Sequence, residues 1–167
     1  VYGIKFVNSI DQHCYGPYYS LPYGRPSLHS PYNHADSQYY RAIPALMGFY
    51  NGHRAGNSPE TVNYEVAGGI KDWLLMGDIG VGSKGKIYGM TGEASGVNFW
   101  VPVSQILQLC KENCFQNLQL AYAAGAYYDV QDLDDIAIPS GNITGNLSCR
   151  IRKIGLGNGQ VTVSLIP

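Results

Sequence analysis

Apolar positions along this chain follow two spacings, and each predicts an element. The run "IKFVNSI", residues 4–10, is short, apolar and rich in β-branched residues, which predicts a buried strand ending near Asp11. "GKIYGMTGE", residues 85–93, predicts a second strand in which Ile87, Tyr88, Met90 and Thr91 lead into Gly92 and Glu93. Helical spacing appears in Tyr40, Ile43, Leu46, Met47 and Tyr50, behind a cap at Asp36 or Ser37 and before a stop at Gly52. Pro44 inside that pattern is a place for a kink. A short helix is expected from Asp72 to Met76. The longest one starts at Pro102 and carries Ile106, Leu109, Cys110, Cys114, Leu118 and Tyr122 on one face. Between these lie two long loops: "LPYGRPSLHSPYN", too proline-rich for regular structure, and "GNSPETVNYEVAGG", with a Gly-Gly turn that leads into the short helix.

The pattern changes after Tyr128. "DVQDLDDI" reads as an acidic connector, and "GNLSCRIRKIG" with "GQVTVSLIP" alternates apolar and polar residues around "GLGNG", which predicts a β-hairpin. A boundary near Asp129 divides the chain into residues 1–128 and a β-rich segment, residues 129–167. Two strands alone are marginal, so that segment is too small for a sandwich of its own.

Composition narrows the picture. The chain has 167 residues, enough for one domain of ordinary size, with only 14% charged residues and a net charge of -1. Such a balance carries no electrostatic footprint for nucleic acid or an anionic membrane. No apolar run approaches the roughly 20 residues of a membrane span. The first residues read as strand, with no charged leader, and suggest a fragment or a processed chain. Four cysteines form no zinc pattern. Cys110 and Cys114 sit one helical turn apart, a poor disulfide geometry, and Cys14 could pair with Cys149 only if the fold joined them. All four are expected to be free and mostly buried thiols. Two sequons, at Asn142 and Asn146, are compatible with secretion.

Chemistry is expected at strand ends, where open α/β sheets build their sites. His13 follows the first strand, Glu93 ends another, and Tyr64 lies in the Gly-rich loop between them. A neutral histidine there can bind zinc, and a nearby carboxylate can take a proton from water. Singly, each also fits a packed or solvated side chain. Their wording in order is more specific. "DQHCYGPYYSLPYG" resembles the Asp-x-His-Ser-Tyr to Pro-Tyr-Gly segment of the zinc carboxypeptidases, the family of pancreatic carboxypeptidases A and B. "NYEVAGGIKDW", "YGMTGE" and "PVSQILQLCKEN" resemble later segments of that family in the same order, covering about residues 4–126.

The resemblance implies an α/β fold: a partial mixed-sheet carboxypeptidase-like domain with flanking helices, followed by a short β-hairpin of a trailing β-domain. It implies a secreted zinc metallocarboxypeptidase acting on peptide or protein C-termini. His13 then stands at a zinc ligand, Tyr64 at the tyrosine that closes over the substrate carboxylate, and Glu93 at the general base. Lys71, directly before Asp72-Trp73, falls at the floor of the pocket for the substrate's last side chain. A lysine there favours Asp or Glu, and Arg25 after the "PYG" turn can add to the field; the alternative is a Lys71 that snorkels to solvent. His13, Tyr64 and Glu93 should therefore surround one cleft.

The departures are specific too. No His-x-x-Glu occurs in the sequence, so the other two zinc ligands are missing, as are the arginines and asparagine that grip the substrate carboxylate. Gln12 and Cys14 replace an apolar or aromatic residue and a serine. His29, His34 and His53 fall in loops at no ligand spacing and are expected on the surface. The chain reads as the second half of a catalytic domain, its zinc completed by a missing N-terminal half or another chain. A non-catalytic binding or structural module is the alternative. A cysteine hydrolase using Cys14 with His13 is a third reading, opposed by the rule that adjacent strand residues point to opposite faces.

Overall fold

In a computed structural model, residues 5–29, 32–76, 84–94, 97–133 and 148–164 are described. In chain order they form β1 (Asn8–His13), β2 (Tyr18–Ser20), α1 (His34–Met47), β3 (Arg54–Gly56), α2 (Ser58–Thr61), α3 (Ile70–Met76), β4 (Tyr88–Glu93), α4 (Val103–Ala124), β5 (Tyr128–Asp132) and β6 (Cys149–Lys153). The fold is mixed α/β. A four-stranded sheet has the order β1-β4-β2-β3, with β1 parallel to β4, β2 parallel to β3, and β4 antiparallel to β2. Parallel neighbours need long crossovers, and the helices supply them: α1 links β2 to β3.

Helix α1 starts one turn before the expected cap. Asn33 accepts the backbone N–H of Asp36, and Gly48, not Gly52, ends the helix. Asp36 is released from capping and instead receives Lys86 Nζ at 2.8 Å and Tyr88 OH at 2.7 Å, tying α1 to β4. The buried face of α1 carries Tyr39, Tyr40, Ile43 and Met47, which pack with Tyr19 of β2 and Met90 of β4. Each aliphatic side chain fully buried here contributes about 1.5–3 kcal/mol.

Helix α4 corrects the sequence reading. Its buried residues are Gln116, Leu120 and Ala123, whereas Ile106, Cys110, Cys114, Leu118 and Tyr122, from the apolar face, are exposed. The reason is a polar bridge. Gln116 Oε1 accepts Tyr19 OH at 2.8 Å, and Gln116 Nε2 donates to Asn113 at 2.9 Å, so an amide faces the sheet. We expect Gln116→Leu to lower stability by about 1–3 kcal/mol, the cost of a buried polar group that loses its partner. A urea midpoint equal to that of the parent chain would show that the bridge contributes nothing.

The cysteines are corrected likewise: all four are free, as expected, but exposed rather than buried.

At the C-terminal end, β6 pairs antiparallel with β5, Cys149 opposite Asp132 and Lys153 opposite Tyr128. The expected hairpin of β6 with "GQVTVSLIP" does not form across residues 160–164. The glycine turn is held elsewhere, with Gly155 N bonded to Tyr127 O, Leu156 N to Ala123 O and Gly157 N to Gly125 O. Side chains at Gly155 or Gly157 would collide with that backbone. Ile154 joins the core cluster of α1 and the sheet. The sequons at Asn142 and Asn146, residue 4 of the first expected strand, and residues 165–167 lie outside the described residues.

Candidate functional site

The parallel register of β1 and β4 sets the site. Residues two apart on a strand share a face, so Asp11 and His13 project together, and their partners Thr91 and Glu93 project beside them. His13 Nε2 lies 2.9 Å from Asp11 Oδ2, on a partly exposed pair. These four residues, with Ser20, Ser58, Tyr64 and Lys71, line one cleft of about 240 Å³. The expected convergence of His13, Tyr64 and Glu93 on one cleft is what the fold produces.

Lys71 reaches the cleft because α3 lies unusually close to β4. A side chain at Gly89 would meet Leu74 Cδ1 at 2.7 Å and the Lys71 Cα at 3.2 Å, so only glycine permits that approach. Lys71 is 4% exposed, which rules out the snorkelling alternative. No carboxylate pairs with its ammonium within 4.0 Å among the described residues. Burial lowers its pKa, against the opposing fields of Asp72, Asp11 and Glu93. Glu93 is perturbed in the other direction. Burial raises its pKa, His13 pulls it back, Asp11 raises it and Lys71 lowers it, and its buried Oε2 has no hydrogen-bond partner. A carboxylate short of donors and an ammonium short of acceptors thus share one cleft.

The "PYG" turn does not line the cleft but braces residues beside it. Both carboxylate oxygens of buried Asp72 accept Gly24 N–H, at 3.0 and 3.1 Å, and Gly24 O accepts Val66 N–H at 2.9 Å. Tyr64 stands on the loop between α2 and α3, 63% exposed, where Asn63 has φ 64 and Gly68 has φ 72. Arg25 does not line the cleft. It pairs through Nε with Glu65 at 2.9 Å, and Ser27 donates to the same carboxylate, so Arg25 braces the loop that carries Tyr64.

Sequence reasoning missed Asp11, Ser20, Ser58 and Thr91. Period-two alternation from His13 and Glu93 was enough to find Asp11 and Thr91. Ser20 and Ser58 come from β2 and α2 and meet at 3.3 Å, a contact that no local pattern encodes. His53, expected on the surface, is half-buried with its ring 5.3 Å from Tyr19, and burial lowers its pKa. Cys14 lines a different cavity, with Gln12, Phe99, Ile106 and Cys110, which separates it from His13 and removes the cysteine-hydrolase reading.

The donor set does not fit zinc as it stands. A catalytic zinc takes about three protein ligands. Among the described residues no group of three or more His, Cys, Asp or Glu is placed to hold a metal ion, and His13 already faces Asp11. No protein-family model matches the sequence, and no curated protein aligns with it significantly.

Proposed function

We propose that the cleft receives the C-terminal residue of a peptide, as the carboxypeptidase-like motifs imply, and that its partners are peptide or protein C-termini. The observation that carries this reading is convergence. His13, Tyr64, Lys71 and Glu93, picked from segments scattered along the chain, line a single cleft. Tyr64, on its exposed loop, folds over the bound terminus. Lys71 at the buried end meets the last side chain. Glu93, kept short of donors and raised in pKa by burial, is suited to take and return a proton.

Peptide hydrolysis by a carboxypeptidase-like, secreted enzyme requires zinc donors that the described residues do not supply. On this reading they come from a missing N-terminal half or another chain. The same deficit favours a second reading, in which the carboxypeptidase-like fold serves as a non-catalytic peptide-binding module.

The test uses the purified chain with peptides that differ only in a free or an amidated C-terminus. We expect the free acid to bind at least tenfold more tightly, and we expect no release of C-terminal amino acids with or without added zinc. Equal affinity for the two ends overturns the proposed role of the cleft. Zinc-dependent release that disappears in Glu93→Gln shows instead that these residues form a complete enzyme.

A further inference from the structure

A cavity of about 660 Å³ lies away from the His13–Glu93 cleft, between α1 and the edge strand β3. Leu21, Tyr40 and Pro44 form its buried apolar floor, and Arg41 and Arg54 stand exposed on its lining. Neither arginine makes an ion pair among the described residues. The one carboxylate on the lining, Glu60, is engaged with the backbone N–H of Asn57 at 2.8 Å. The groove is therefore positive, on a chain whose net charge is -1.

A second observation concerns the backbone. Arg54 N–H donates to Pro17 O at 2.9 Å, and Gly56 O accepts Leu21 N–H at 2.7 Å, so both residues turn main-chain groups toward β2. Alternation along a strand turns the N–H and C=O of Ala55 the other way. Ala55 is exposed and lines this same cavity, and no strand lies beyond β3 among the described residues. An unpaired edge is a template for another strand. A donor and an acceptor at strand spacing match a polypeptide backbone, which a phosphate or a nucleotide cannot reproduce.

We propose that this groove binds an extended acidic peptide segment by strand addition to β3. One residue of the segment exchanges hydrogen bonds with Ala55. An apolar side chain fills the floor of Leu21, Tyr40 and Pro44, and flanking carboxylates meet Arg41 and Arg54. Main-chain bonds supply affinity in such complexes, while pockets and charges supply choice. The edge is short, three residues, so one backbone pair is made and affinity depends strongly on the charges.

The experiment is calorimetric titration with blocked peptides, acetyl-Glu-Leu-Glu-Leu-Glu-amide against its lysine counterpart. Blocking the C-terminus keeps the result separate from the carboxylate cleft proposed above. The acidic peptide is expected to bind at least tenfold more tightly, and to weaken as salt is added. Arg41→Ala with Arg54→Ala should cost a further tenfold, and Ala55→Pro, which removes the N–H, should abolish binding. An acidic peptide N-methylated at its three inner residues, tested on the unaltered protein, should fail in the same way. Equal binding of the two peptides, no binding at millimolar concentration, or full binding of the N-methylated peptide overturns the proposal.

Discussion

A peptide ending in glutamate is expected to bind the cleft at least tenfold more tightly than its counterpart ending in leucine, and Lys71→Met is expected to remove that preference. The lysine is buried at 4% exposure, unpaired by any carboxylate among the described residues, and lines the cavity that holds Tyr64 and Glu93. An opposite charge 4 Å away gains about 1 kcal/mol in bulk water and about 4 kcal/mol at the effective dielectric of a protein surface. Tenfold requires only about 1.4 kcal/mol, so even an imperfect approach suffices. The pH dependence has a definite sign. Burial lowers the Lys71 pKa from 10.5, so the ammonium and the preference are lost at lower pH than for an ordinary lysine. For stability, a depressed cation means that the unfolded chain binds more protons than the folded one in that window. Stability therefore rises with pH through it, and Lys71→Met, which cannot be charged, should be more stable than the parent at neutral pH. Titration calorimetry with the two peptides decides. Equal affinity for both ends, unaffected by Lys71→Met, sinks the acidic-pocket idea.

What the sequence revealed and what it hid follow from the range of the interactions involved. Strand β4 and helices α1 and α3 were legible because turn residues, caps and apolar spacing act within a few residues. His13, Tyr64, Lys71 and Glu93 stood out through the carboxypeptidase-like wording around them, while Ser20 and Ser58 of the same cleft, brought in by β2 and α2, did not. Helix α4 was legible as a helix but not in its orientation. A stripe of Ile106, Cys110, Cys114 and Leu118 looks like a core face, yet the buried one holds Gln116, whose partner Tyr19 is 97 residues away. The pairing of β6 was hidden in the same way. Its local turn predicts a hairpin, but glycines at 155 and 157 let the turn seat on Gly125 and Tyr127 instead. The burial of Lys71 was equally invisible, since it depends on Gly89 admitting α3 against β4. In each case one long-range contact outweighed a local preference, which tertiary context commonly does.

Glu93→Gln should stabilise the protein at neutral pH and weaken or abolish any hydrolysis the completed site performs. Oε2 of Glu93 is buried without a partner, and burial raises the pKa from its ordinary 4.5. In the window just above 4.5 the folded chain binds more protons than the unfolded one. Stability consequently falls as pH rises through that window and stays lower at neutral pH. Glutamine cannot ionise, so its advantage should amount to about 1 kcal/mol at pH 7, at the low end for an unsatisfied buried group because the side chain is partly exposed. Below the ordinary glutamate range, where both side chains are neutral, the advantage should vanish. The substitution also removes a negative charge that opposes an incoming carboxylate, so peptides ending in glutamate should bind the variant more tightly than the parent. A side chain that merely sits in solvent predicts neither effect. Urea unfolding of both proteins at pH 7 and pH 4, with peptide titrations at pH 7, separates the two cases: identical midpoints at both pH values together with unchanged peptide affinity would remove Glu93 from the functional account of this cleft.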